Sequence, residues 1–249
     1  ETLGMVGESG SGKTLSSLAL MGLLPNGTSV RSGRMCYDGR EIDLRDERAL
    51  KALRGREIGM IFQEPMAALD PCFTVGHQLV EVIRRHSGLS RAAARRRAVE
   101  LLAQVQIVRP EETMRKYPHE ISGGMAQRVG IARAMAPEPK VLLADEPTTA
   151  LDVTVQAEIL ELIRQAKTGR GTAVLLVTHD WGVVADICDR AAVLYRGDLL
   201  ETGDVEAIFD RPSHPYTRAL LKADPHSAAV GQRLPTIQDT LRWEQEASR

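Results

Sequence analysis

The sequence predicts an α/β protein: a mostly parallel sheet core with an inserted helical subdomain. Three observations lead there. Gly7-Glu8-Ser9-Gly10-Ser11-Gly12-Lys13-Thr14 fits the phosphate-binding loop pattern of a glycine, four spacers and Gly-Lys-Ser/Thr, and it directly follows the apolar stretch Leu3-Gly4-Met5-Val6. From Val141 onward, short apolar runs alternate with helical stretches. Between these regions, from Val75 to about Ala136, the texture is helical.

The loop opens a helix near Lys13. The glycines at 7, 10 and 12 are expected to take positive φ and turn N–H groups inward around a phosphate, with the positive end of the helix dipole behind them. Lys13 would then reach the β/γ-phosphates of a nucleotide, and Thr14 would place its hydroxyl on Mg²⁺. The helix continues through Leu15 to Leu24, too short to span a bilayer and without the basic flank of a secretion signal. No other apolar run reaches spanning length, so the chain reads as soluble in itself.

Arg34-Met35-Cys36-Tyr37 reads as a strand entering a turn at Asp38-Gly39, and Ile58 to Phe62 as a short buried strand ending at Gln63. In the helical stretch Ser90 is an N-cap, and Ala94, Ala98, Leu101, Leu102 and Val105 form one apolar face. A strand over Val141 to Ala144, a helix from about Val155 to Lys167, a strand over Ala173 to Val177, a helix over Trp181 to Cys188 and a strand over Ala191 to Tyr195 follow. The boundaries expected are 1–74 and 137–211 for two parts of a nucleotide-binding core, 75–136 for the helical subdomain and 212–249 for a C-terminal extension.

Composition excludes several classes. With 26% charged and 43% hydrophobic residues the chain of 249 residues is an ordinary globular protein, and its net charge of −1 gives no electrostatic footprint for nucleic acid. Cys36, Cys72 and Cys188 form no CxxC pair, which argues against a zinc site or a disulfide framework; each reads as a small core residue. The arginines at 84, 85, 91, 95, 96 and 97 read as the solvated face of an amphipathic helix, with proximity to anionic lipid as a secondary effect.

The second chemical element is Val141 to Pro147, an apolar strand that delivers Asp145 and Glu146 at its carboxyl end, where open α/β sheets place their ligands. Asp145 is positioned to hold Mg²⁺ directly or through water, and Glu146 to accept a proton from an attacking water. Ser122, Gly123 and Gly124 precede a helix and present N–H groups and a hydroxyl that favour an anion.

These residues resemble the ATP-binding cassette family of P-loop NTPases. Ile121-Ser122-Gly123-Gly124-Met125-Ala126-Gln127-Arg128 is similar to its signature segment, with Met125 where many members carry glutamine. Gln63 stands where the Q-loop glutamine would, Ala150-Leu151-Asp152 looks like the D-loop, and His179 like the switch histidine. The resemblance implies ATP hydrolysis, with His179 contacting the γ-phosphate, the Gln63 amide sensing Mg²⁺ or water, and Ser122–Gly124 facing the γ-phosphate held by a second subunit. A backbone that needs glycine is expected at Gly124.

The loop starts at residue 7, whereas the family places strands and an adenine-stacking aromatic upstream. The chain therefore reads as N-terminally shortened or assigned a late start, with a sheet edge left unpaired and weaker ATP binding expected. His214-Pro215-Tyr216-Thr217-Arg218-Ala219-Leu220-Leu221 looks like the segment that follows the cassette in ATPases of oligopeptide, dipeptide and nickel importers. Arg233-Leu234-Pro235-Thr236-Ile237 resembles the start of their tail, and the remainder to Arg249 reads as a polar amphipathic or disordered end; with no cysteine after Cys188, no iron–sulfur cluster is expected. This resemblance implies a peripheral subunit at the cytoplasmic face of a bacterial membrane. Its implied partners are a second, different ATPase subunit, two membrane permeases and an extracytoplasmic solute-binding protein, with no nucleic acid. Dipeptide, oligopeptide, nickel, opine and glutathione-type cargoes stay open. The alternatives are a soluble cassette ATPase of DNA repair or translation, and a nucleotide-binding regulatory module without turnover.

Overall fold

The computed structural model describes residues 1–149 and 151–223. Segment 233–237 and the polar C-terminal end lie outside them. In chain order the first half comprises β1 (Thr2–Val6), α1 (Lys13–Met21), β2 (Arg34–Tyr37), β3 (Arg40–Asp43), α2 (Glu47–Leu53), β4 (Ile58–Ile61), α3 (Val75–Ser87), α4 (Arg91–Gln104) and α5 (Pro110–Thr113). A 3₁₀ turn at Pro118–Glu120 leads to α6 (Gly123–Met135), β5 (Val141–Asp145), α7 (Val153–Arg170), β6 (Ala173–Thr178), α8 (Trp181–Ile187), β7 (Arg190–Tyr195), β8 (Asp198–Asp204), α9 (Val205–Asp210) and α10 (Pro215–Lys222). No helix among the described residues is long and apolar enough to cross a membrane.

The chain divides into two compact units, Glu1–Thr14 with the part from Leu175 onward, and Leu15–Val174. In the first, β1 runs parallel to β7 in the register Leu3↔Arg190 to Val6↔Val193, and β8 returns antiparallel with a bulge at Val193/Leu194. Its core is Val6, Trp181, Val184, Ala191, Val193, Val205, Ile208 and Tyr216. The alternating burial of β1 explains the selection of Thr2, Gly4 and Val6 for one face.

In the larger unit β4 and β5 pair in parallel, Ile58↔Val141 through Ile61↔Ala144. β4 is buried at all four positions, so its apolar run is continuous rather than alternating. Helices α3 and α4 pack on each other, and α6 packs on both α4 and β4. Thr74 caps α3 by accepting from His77 N at 3.2 Å, and Ser90 caps α4 by accepting from Ala93 N at 3.3 Å. The face Ala94, Ala98, Leu101, Leu102 and Val105 is buried as its spacing predicts.

Four details differ from the sequence reading. Helix α1 stops at Met21, short of Leu24, because Gly22 takes a left-handed φ of 61°. Helix α7 begins earlier than Val155, since the Asp152 carboxylate accepts from Val155 N at 3.0 Å and sets the N-cap. Cys36 and Cys72 are exposed and Cys188 is half-buried, so the cysteines are not core residues. Cys36 lies on the solvent side of the β2–β3 ribbon, where burial alternates, and Cys72 lies in the connection into α3. Among the arginines, 84, 85, 91, 95 and 96 are exposed as expected, whereas Arg97 is half-buried and paired with Glu100 at 3.2 Å and Glu138 at 3.0 Å.

Candidate active site

The phosphate loop hangs between β1 and α1 in the smaller unit. Gly10 and Gly12 take φ of 80° and 101°, as a loop of inward N–H groups requires. Gly7 differs, because its φ of 159° is nearly extended. What demands glycine there is close approach: a Cβ would lie 2.2 Å from the Leu194 carbonyl oxygen. Lys13 is 5% exposed, and its ammonium donates to the carbonyls of Gly7 at 2.7 Å and Glu8 at 3.0 Å. Glu8 O also accepts from Ser11 N at 3.2 Å, closing the first turn. The Ser11 hydroxyl is buried with no hydrogen-bond partner among the described residues. Below the loop, Gly197 N donates to Ser11 O at 3.0 Å.

His179 belongs to the same unit, exposed at the end of β6. Asp180 follows it and caps α8 by accepting from Gly182 N and Val183 N.

In the larger unit, the acidic pair Asp145-Glu146 stands at the end of β5. Asp145 is 2% exposed. Glu146 has φ of 44°, a left-handed conformation that a non-glycine residue rarely takes. Its Oε2 accepts from Gln63 Nε2 at 3.0 Å and from Thr149 Oγ1 at 2.9 Å, so the structure brings Gln63 and Glu146 together. The next carbonyl, of Pro147, accepts from the buried Gln127 Nε2 at 2.7 Å, tying α6 to this segment. Arg128 ties the same helix to α7 through an ion pair with Glu158.

Ser122, Gly123 and Gly124 form the N-terminus of α6, with Ser122 Oγ accepting from Met125 N at 3.3 Å. The expectation that Gly124 needs glycine for its backbone is corrected. Gly124 lies within α6, outside the positive-φ glycines, and a Cβ there would make only ordinary contact with Val155 Cγ1 at 3.7 Å. Of the D-loop-like segment, Leu151 and Asp152 are described and Ala150 is not.

The sequence does not announce the roles of Thr149 and Gln127, although Gln127 stands within the signature-like segment. Their contacts to Glu146 and Pro147 depend on the turn after β5, for which no spacing pattern signals a partner.

A phosphate loop on an α/β scaffold, a buried strand ending in Asp-Glu and a capped Ser-Gly-Gly helix define a nucleotide-hydrolysing cassette. The ABC transporter family profile matches residues 1–149, and the chain belongs to that family of ATP-binding, ATP-hydrolysing proteins. A second profile, oligopeptide/dipeptide transporter, C-terminal region, matches residues 200–249.

The dipeptide transport ATP-binding protein DppD of Escherichia coli (strain K12) is 47% identical over 237 residues, covering 95% of this chain and 72% of that protein. The oligopeptide transport ATP-binding protein OppD of Bacillus subtilis (strain 168) is 49% identical over 233 residues, 93% of this chain and 65% of its own length. Glutathione import ATP-binding protein GsiA of Salmonella typhimurium is 50% identical over 242 residues, covering 94% of this chain and 39% of that protein. Among solved structures, the ATP-binding cassette MJ0796, a dimer in a post-hydrolysis state bound to ADP and Pi, superposes with a TM-score of 0.71 at 29% identity over 82% of this chain and 85% of that one.

Proposed function

We propose that this chain is the ATPase subunit of an importer, coupling ATP hydrolysis to uptake of a peptide or related small solute. The match of residues 200–249 and the import proteins among the relatives support that cargo class. On this reading it sits peripherally at the cytoplasmic face of a bacterial membrane, beside two permeases and a second, different ATPase subunit, and receives cargo from an extracytoplasmic solute-binding protein. Dimeric solved relatives support the pairing of cassettes.

The observation that carries the hydrolytic assignment is the Glu146 carboxylate, fixed by Gln63 and Thr149 at the end of a buried strand. The loop N–H groups of Gly10, Ser11 and Gly12 and the Lys13 ammonium hold the β/γ-phosphates, Glu146 takes the proton of the attacking water, and His179 orients against the γ-phosphate. Gln63 has its amide nitrogen engaged by Glu146, so its carbonyl oxygen is the atom left to serve as a ligand. Ser122, Gly123 and Gly124 complete the partner's site.

Thr14, Asp145 and Gln63 would hold Mg²⁺, which when bound neutralises charge on the phosphates. The donor set fits: these are hard oxygen ligands with one carboxylate, the usual share when the nucleotide supplies the rest.

Glu146→Gln should keep ATP binding and cut turnover roughly 10²–10⁴-fold, measured in the purified, assembled complex. Near-normal turnover there would remove Glu146 from the role of base.

A further inference from the structure

The His-Pro-Tyr segment, the N-cap and first two residues of α10, is clamped from β8. The Glu201 carboxylate accepts from Ser213 N and Ser213 Oγ, both at 2.7 Å, and from His214 N at 3.1 Å. His214 Nδ1 caps α10 by accepting from Tyr216 N at 3.1 Å, and Arg218 donates back to the carbonyls of Pro212 and Ser213 at 3.0 Å each.

This clamp delivers Tyr216, only 2% exposed, to the phosphate loop. Its ring packs against Tyr195 with centroids 4.3 Å apart. Its hydroxyl accepts from Glu8 N at 3.4 Å and donates to Glu8 Oε2 at 3.3 Å. Burial pushes this hydroxyl up to about 12, so it stays a neutral donor through the physiological range. Glu8 is also the residue whose carbonyl holds the Lys13 ammonium and the Ser11 N–H. A phenol from the C-terminal region thus pins the turn on which the phosphate-binding lysine is folded.

We propose that the His-Pro-Tyr segment is a buttress of the phosphate loop, with Tyr216 a positioning residue that sets Glu8, and through it Lys13, for the triphosphate. Affinity for ATP then depends on how firmly the segment is docked. The proposal rests on the phosphate loop being the ATP site.

The test measures ATP affinity by calorimetric titration of the full chain, together with saturating turnover and thermal midpoint. Tyr216→Phe removes only the hydroxyl and keeps the ring against Tyr195. It should raise Kd and KM for ATP about 5-fold, the value of one net hydrogen bond, with saturating turnover and midpoint near wild type. Glu201→Gln, outside the loop, loosens the clamp and should shift affinity in the same direction.

Lys13→Ala supplies the reference and should lose ATP binding. If Lys13→Ala binds ATP as wild type does, the loop is not the ATP site, and the buttress falls with that reading. If Lys13→Ala loses binding while Tyr216→Phe and Glu201→Gln keep wild-type affinity, the ATP site stands and the buttress is wrong. If Tyr216→Phe lowers midpoint and saturating turnover along with affinity, Tyr216 is a general packing residue and the proposal is overturned. Should Tyr216→Phe fail to fold, Glu201→Gln decides the matter by Kd for ATP and saturating turnover alone, since loss of the clamp lowers its midpoint in any case: weaker binding with turnover near wild type supports the buttress, and wild-type affinity overturns it.

Discussion

Glu201 shows how a single carboxylate can anchor a segment. Burial pushes its pKa up, but the neighbouring Thr217 hydroxyl and the hydrogen bonds from Ser213 and His214 outweigh burial and bring it from 4.5 down to about 2. The folded pKa lies below the unfolded one, so the folded state binds this proton less readily. Its stabilisation is therefore full above about pH 4.5 and is lost as pH falls toward about 2. Unfolding measured across that window should lose stability in wild type, and Glu201→Gln should flatten that part of the profile. An identical acid slope in both proteins would place the effect elsewhere.

At the scale of elements, the β7–β8 hairpin both closes the sheet and supports the phosphate loop. Its two-residue turn, Arg196-Gly197, has positive φ at both positions, 50° and 92°, the pairing that matches the twist of the flanking strands. A Cβ at Gly197 would meet nothing within 4 Å, so the demand for glycine is conformational. Gly197→Ala should cost about 1–2 kcal/mol in urea unfolding, the penalty of left-handed backbone for an L side chain. An unchanged midpoint would mean that the turn relaxes.

Elements with a pattern were legible in the sequence. Apolar runs announced β4 and β5, Asp38-Gly39 announced a turn, and Ser90 announced the start of α4. β8 (DLLETGD) and β3 (REID) were not, because they are largely solvent-facing and become strands through the neighbours they pair with. The same division holds in the site. Lys13, Asp145 and Glu146 are proposed from motif spacing, whereas Tyr216 touches Glu8 across 208 positions of sequence, a contact made only by folding.

For the whole molecule, the assignment of Ser122, Gly123 and Gly124 to a partner's site is the claim most open to direct trial. The space at Gly124 makes Gly124→Asp a test of charge, since a Cβ there meets only Val155, at an ordinary distance. Mixed with wild-type partner in the assembled complex, this variant should weaken hydrolysis at the partner's site by about 10-fold or more, because like charges a few ångströms apart repel by more than the ~1.4 kcal/mol required. Hydrolysis measured at each site separately decides it, and failure of this chain's own site with the partner's intact would place the segment in cis.

The left-handed backbone at Glu146 carries a last consequence. Such a conformation holds about 1–3 kcal/mol of strain, in a fold of ordinary net stability of about 5–15 kcal/mol. Selection for robustness alone would favour glycine or asparagine at this position, and either would erase the carboxylate. With Glu146 as the proposed base, directed evolution toward heat resistance and directed evolution toward turnover would pull residue 146 in opposite directions.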